Sequence, residues 1–194
     1  MEVITASGGS LKKHLENYAF LWMIAGIIVA LDQSTKALVR ANLAIEEFWA
    51  PWDWLEPYAR IVHWKNTGAA FGMLPGFSDV FTVLAIIVSL AILYYFPQVP
   101  REDWPLRLAM GLQLGGALGN LIDRVTIGYV VDFVSVGNFP VFNVADASIS
   151  TGVAVLILGV WIKERRDRSS KSPEDPGAST EKAGDRVPEE TWGE

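Results

Sequence analysis

Four stretches of the chain stay apolar long enough to cross a bilayer, whose hydrocarbon core takes about 20 residues of helix. They cover about residues 18–40, 80–96, 106–122 and 147–162. The first opens YAFLWMIAGIIVAL and then carries Asp32 and Lys36, the second holds no charge, and the third is rich in glycine (MGLQLGGALGNLI). Small residues let membrane helices approach closely. The pattern predicts an α-helical polytopic membrane protein with four transmembrane helices. The first run is too long, and too charged at its far end, for a cleavable signal peptide.

The connection over residues 41–79 is no ordinary loop. It carries Trp49, Trp52, Trp54 and Trp64, aromatic rings that favour the headgroup level. Within it ARIVHWKNTGAAFG alternates in the manner of a strand and predicts a small extracytoplasmic β-sheet. FWAPWDWLEPY reads as a short interfacial helix. Beyond Lys163 the chain turns to Ser, Glu, Pro, Asp, Gly and Lys, so residues 164–194 are expected to be a disordered cytoplasmic tail, and residues 1–163 a single membrane domain. Lys12, Lys13, Arg101, Arg107, Lys163, Arg165, Arg166 and Arg168 fall on one side of the spans, against Arg40, Arg60, Lys65 and Arg124 on the other. That bias places both termini in the cytoplasm.

With this topology, Asp32 and Lys36, Asn120 and Asp123, and Asn143 and Asp146 all arrive near one outer layer. A charge at mid-bilayer costs roughly 2.5–3.5 kcal/mol, so such residues are rare and are usually paired or functional. Asp32 and Lys36, spaced i, i+4 with the acid first, fit a helical ion pair. Asn66 is either a turn residue or a substrate-facing one, since Gly-Ala-Ala after it permits close approach. Arg124 is either a snorkelling scaffold residue or part of the site. Asp123, on one helix face with Asn120, reads as a brace. Asp132 (in YVVDFV) and Asp146 (in VFNVADASI) are either solvated loop acids or, given their apolar surroundings, a carboxyl pair sharing a proton. Such a pair can take a proton from water and donate one to a carbonyl or leaving group.

Composition narrows the chemistry further. Cysteine is absent, which excludes disulfides and thiolate chemistry, and two histidines are too few for a histidine-rich metal site; no metal or other cofactor is expected. The net charge of -6 brings no basic stripe, which argues against nucleic acid. A transporter would carry ionisable residues through the whole bilayer depth, and the second span has none. An intramembrane protease of the presenilin type would need a GxGD motif, which is missing.

DQSTK (residues 32–36), NTGAAFG (66–72), GGALGNLIDR (115–124), GYVVDF (128–133) and FNVAD (142–146) resemble, in order, the motifs of bacterial lipoprotein signal peptidase, also called signal peptidase II. The resemblance runs from about residue 20 to 162. It implies an aspartic endopeptidase of the bacterial inner membrane that cuts the signal peptide from prolipoproteins just before a diacylglyceryl-modified cysteine. Its partners would be those substrates and membrane lipids, with the enzyme monomeric and the cyclic peptide globomycin seated in the same groove. By this likeness Asp132 and Asp146 are the catalytic pair. Asn66, Asn120, Arg124 and Asn143 position substrate or dyad, Asp32 and Lys36 brace the site, and Gly116, Asp123 and Ala145 complete its support. The interval between the two aspartates is shorter than is usual for the family, which implies a reduced loop beside the site.

Overall fold

A computed structural model of the protein describes residues 6–68 and 77–170. The order of elements is α1 (Ala6–Asn42), β1 (Phe48–Trp49), β2 (Ala59–Asn66), α2 (Ser78–Tyr95), a 3-10 turn (Phe96–Gln98), α3 (Trp104–Ile127), β3 (Val130–Val136) and α4 (Val144–Ser170). Residues 69–72 of the NTGAAFG motif lie outside the described residues.

Among the described residues, three segments are long and apolar enough to cross a membrane: Tyr18–Asn42, Ser78–Gln98 and Val144–Arg166. Ile27, Leu31, Ile87, Leu90, Ile157 and Leu158 are exposed on them, an arrangement suited to lipid rather than water. The helix α3 is different. Its 24 residues would reach about 36 Å, yet Gly111, Gly115, Gly116, Gly119, Asn120 and Asp123 are all buried in it. Its polar groups and glycines meet protein, so its sequence is less apolar than that of a lipid-facing helix.

The glycines of α3 mark its close approaches. A Cβ at Gly115 would lie 2.7 Å from Ile28 Cβ and 3.0 Å from the Ala25 carbonyl of α1. At Gly116 it would lie 2.6 Å from Ser148 Oγ of α4. Farther from the sheet, Leu21, Ala25, Ile92, Phe96 and Leu114 form an apolar cluster. The Arg107 guanidinium lies 4.1 Å from the Phe96 ring and Tyr18 donates to the Leu93 carbonyl at 2.9 Å.

The sheet is antiparallel in the order β1-β2-β3. Val131 and Phe133 of β3 pack with Val39 near the C-terminal end of α1, so the sheet rests on that end of the helices. Gly128 ends α3 at φ 80, with its N–H on the Arg124 carbonyl at 3.2 Å. This left-handed cap turns the chain straight from α3 into β3. Between β2 and β3 the register changes: Ile61 faces Val134, but Trp64 faces Asp132. One extra residue of β2 is absorbed as a bulge. Directly opposed residues share a face, so Asn66, opposite Val130, lies on the same face as Asp132. Without the bulge it would point to the other side.

Two expectations need correction. The segment predicted as an interfacial helix contains β1 followed by turns, with the Leu55 N–H on the Trp52 carbonyl at 3.0 Å and the Tyr58 N–H on the Leu55 carbonyl at 2.9 Å. Pro51 and Pro57 lack the N–H a helix needs, and too little chain remains between them. Trp52 and Trp54 stack at 5.8 Å instead. The fourth helix also outruns its predicted end. Two compact units divide the chain at residues 159 and 160, and in the second α4 continues to Ser170. Residues 164–170 of the predicted tail are therefore helical, and residues 171–194 lie outside the described residues.

The packing of α3 on α1 yields a direct test. Gly115→Val should lower stability by about 1–3 kcal/mol, the cost of overpacking a tight contact. Gly26→Val, where a Cβ meets nothing within 4 Å, should cost far less. Thermal unfolding in detergent measures both, and equal losses would contradict the close α1–α3 contact.

Candidate active site

The site is built around a buried ammonium. Lys36 is fully buried, and its Nζ lies 2.8 Å from Asp32 Oδ2, 3.0 Å from Asp123 Oδ2 and 3.0 Å from Asn120 Oδ1. Its three N–H donors thus meet three acceptors, two on carboxylates and one on an amide. Asp32 also receives the Ala145 N–H on Oδ1 at 3.0 Å. This ties α1 to the first turn of α4, where backbone donors have no helical partner. Asp123 accepts the Val131 N–H at 3.0 Å and so holds β3 to α3. The Arg40 guanidinium adds a longer contact to Asp123, at 3.8 Å.

Two asparagines carry the arrangement outward. Asn120 accepts from Lys36 and gives its Nδ2 to Asp146 Oδ1 at 2.8 Å. Asn143 donates from Nδ2 to Asp132 Oδ1 at 2.6 Å and to Asn120 Oδ1 at 3.1 Å. It is also the cap of α4. Its Oδ1 receives the Asp146 N–H at 2.9 Å, while Asp146 Oδ2 receives the Asn143 N–H at 3.3 Å. This reciprocal capping box fixes the Asp146 side chain at the helix start. On the sheet side, Asn66 donates to Asp132 Oδ2 at 2.8 Å, and its own Oδ1 accepts from the Gly68 N–H at 2.9 Å. Asn66 is therefore both a turn residue and a partner of the candidate acid.

Asp132 and Asp146 are thus bonded through one shared residue, Asn143. Asp132 is buried, and burial, followed by the nearby Asp146 charge, raises its pKa to about 7 against the pull of the Asn66 and Asn143 hydrogen bonds. Both acids line a groove of about 770 Å³ with Asn66, Asn120 and Arg124. Phe81, Leu84 and Val88 of α2 form an apolar wall of it, and Phe139 and Phe142 stand beside the acids. The chain between β3 and α4 is short: Phe142 already bridges back to Val134.

All eleven predicted site residues fall in one region. Gly116 and Ala145 act through space: Ala145 has no exposed surface, and a Cβ at Gly116 would clash with Ser148 and Ile149 of α4. Their close fit lets Asn120 reach Asp146. Arg124 lines the groove, while the adjacent Asp123 faces Lys36. Successive helical residues point apart, and the guanidinium lies in the groove, 5.7 Å from the Phe81 ring. Sequence reasoning missed Gln33, whose Nε2 reaches Asp32 Oδ2, the Gly119 carbonyl and Asp123 Oδ1 at 3.0–3.2 Å. Its place inside DQSTK, between the two paired charges, was the available signal.

Comparison with known proteins identifies the family of the chain. The family model for signal peptidase (SPase) II matches residues 24–162. The lipoprotein signal peptidase of Desulfitobacterium hafniense is 38% identical over 152 residues, covering 78% of this chain and 99% of its own length. That of Halothermothrix orenii is 38% identical over 146 residues, 75% of this chain and 97% of its own. Two solved structures, each described as a bacterial membrane enzyme, match with TM-scores of 0.69 and 0.64 at 32% and 33% identity. They cover 80% and 72% of this chain, and 93% and 91% of their own. The chain belongs to the signal peptidase II family, the bacterial membrane proteases that process lipoproteins.

Proposed function

We propose that this protein removes signal peptides from diacylglyceryl-modified prolipoproteins, cutting just before the lipidated cysteine, with Asp132 and Asp146 as the catalytic pair. The observation that carries this reading is the pair itself: two carboxyls from β3 and α4, hydrogen-bonded to one asparagine, open onto an apolar groove. The pair holds one proton, which burial and the Asp146 charge favour on Asp132. The ionised partner takes a proton from water as it attacks the scissile carbonyl, and the protonated one donates to the carbonyl oxygen. Asn66, Asn120 and Asn143 keep both carboxyls aimed into the groove, and Arg124 meets substrate at its mouth. Asp32, Lys36 and Asp123 brace the site from behind.

In this reading α3 is a fourth span, its polar and glycine-rich face covered by α1 and α4. The Lys and Arg bias puts both termini in the cytoplasm and the site near the outer face. The enzyme is read as a monomer, and the apolar wall of the groove supports recognition of the diacylglyceryl group. Reporter fusions after Lys163 should read cytoplasm and those near Trp54 exterior; exterior signals at both would overturn this orientation.

Cleavage of a purified diacylated prolipoprotein tests the assignment. Asp132→Asn and Asp146→Asn should each lose activity by about 10²-fold or more, the scale of general acid–base work, while keeping fold and globomycin binding. Asp123→Asn should lose stability together with activity. A well-folded Asp132→Asn protein that still cuts would sink the pair. In the same assay kcat/KM should fall as pH rises through about 7, because the proton on Asp132 is lost there. A rate that climbs from pH 7 to 9 would mean that Asp132 acts without its proton.

A further inference from the structure

Below the acids, the groove continues along α2, α3 and α4 toward the hydrocarbon. From α3 it is lined by Gln113, Ala117, Asn120 and Arg124, one helical stripe at intervals of three and four residues. Gln113 lies seven residues before Asn120, two turns away on the same face, which is about 10 Å farther from the sheet. At this level α2 offers only Leu84, Ala85 and Val88. On α4, Thr151 already donates its hydroxyl to the Ala147 carbonyl at 2.7 Å. Ser150, the other hydroxyl of α4 on the groove, is exposed and has a single short side chain, whereas Ser148 donates to the Leu112 and Ala145 carbonyls within the helix packing. Gln113 is only partly buried. Among the described residues none hydrogen-bonds its amide. A primary amide is both donor and acceptor, and leaving one unpaired in an apolar, membrane-depth groove is costly.

A substrate entering this groove has the complementary need. To present a scissile bond the peptide must be extended there, and its unwound residues lose their helical hydrogen bonds. Inside a membrane each such N–H and C=O must find a protein partner. An extended chain advances about 3.3 Å per residue, so 10 Å corresponds to about three residues before the cut. Resting on the reading above, we propose that the Gln113 side chain pairs with the backbone amide of the signal peptide about three residues before the scissile bond. Its Oε1 accepts the N–H of that peptide unit, holding the strand in register with the acids. Diacylglyceryl ester carbonyls could meet the donor but offer no N–H.

The test pairs a protein change with a backbone change. Gln113→Leu should lower kcat/KM for a diacylated prolipoprotein peptide by about five- to tenfold, the scale of one neutral hydrogen bond. Replacing the amide three residues before the cut by an ester should slow the wild-type enzyme similarly. That ester should then slow Gln113→Leu by less than twofold, because the lost partner cannot be lost twice. A packing defect would instead slow all substrates and leave the ester effect intact. A second substrate, with ether-linked chains lacking ester carbonyls, should show no such coupling. Coupling to the ether change, or additive effects of Gln113→Leu and the backbone ester, would overturn the proposal. Wild-type protein that fails to cut the unmodified peptide would instead overturn the function proposed above, so the two failures are distinct.

Discussion

A buried Lys36 ammonium holds three chain segments to one another, and the position of both candidate acids depends on it. Taking an ammonium and two carboxylates out of water is costly, and their mutual attraction offsets that cost only when each donor and acceptor is met. Here each is. Lys36 joins Asp32 on its own helix to Asp123 and Asn120 on α3. The second oxygens of the two aspartates then reach the first turn of α4 and the Gln33 amide. Removing Lys36 would strand two buried carboxylates, and the contacts those carboxylates make tie α1, α3 and α4 into one arrangement.

From that anchor the polarity of the network falls off stepwise. Charged groups sit at the centre, neutral amides surround them, and the candidate acids stand at the groove. Asn120 and Asn143 serve as connectors because an amide can accept on one side and donate on the other. Asn120 takes its hydrogen bond from Lys36 and passes one to Asp146. The Lys36 charge is thereby kept off direct contact with Asp132 and Asp146, which allows burial to dominate at Asp132. A carboxyl bonded directly to the ammonium would be a poor proton donor. In the proposed reading, distance from Lys36 separates the bracing acids Asp32 and Asp123 from the candidate catalytic pair.

Much of this was legible in the chain. The spans follow from apolar runs, and the i, i+4 spacing of Asp32 and Lys36 announced their pair. FNVAD could be placed at a helix start beside an apolar run. Other features depended on contacts that sequence does not display. The strand around Asp132 was hidden because VVDFVSV lies between two helices and its partner is more than sixty residues earlier. Its Val-rich composition was the usable signal. The bulge that brings Asn66 to the face of Asp132 is a property of the pairing, visible only once both strands are in register. The sequence left Arg124 between scaffold and site, because the direction of its side chain into the groove is set by contacts that the sequence does not display. The proline-bracketed tryptophan segment was misread because its amphipathic pattern outweighed the missing N–H groups.

The most direct test of the central cluster is a charge-balance comparison by thermal unfolding in detergent, with cleavage measured on the same samples. Lys36→Met leaves two buried carboxylates without their ammonium, a change expected to cost about 3–5 kcal/mol and to abolish activity with it. Adding Asp32→Asn removes one of those charges and keeps an acceptor for the Ala145 N–H. The account predicts that the double variant unfolds at a clearly higher temperature than Lys36→Met alone. A Lys36→Met protein as stable and active as the parent, or a double variant no more stable than the single one, would contradict it.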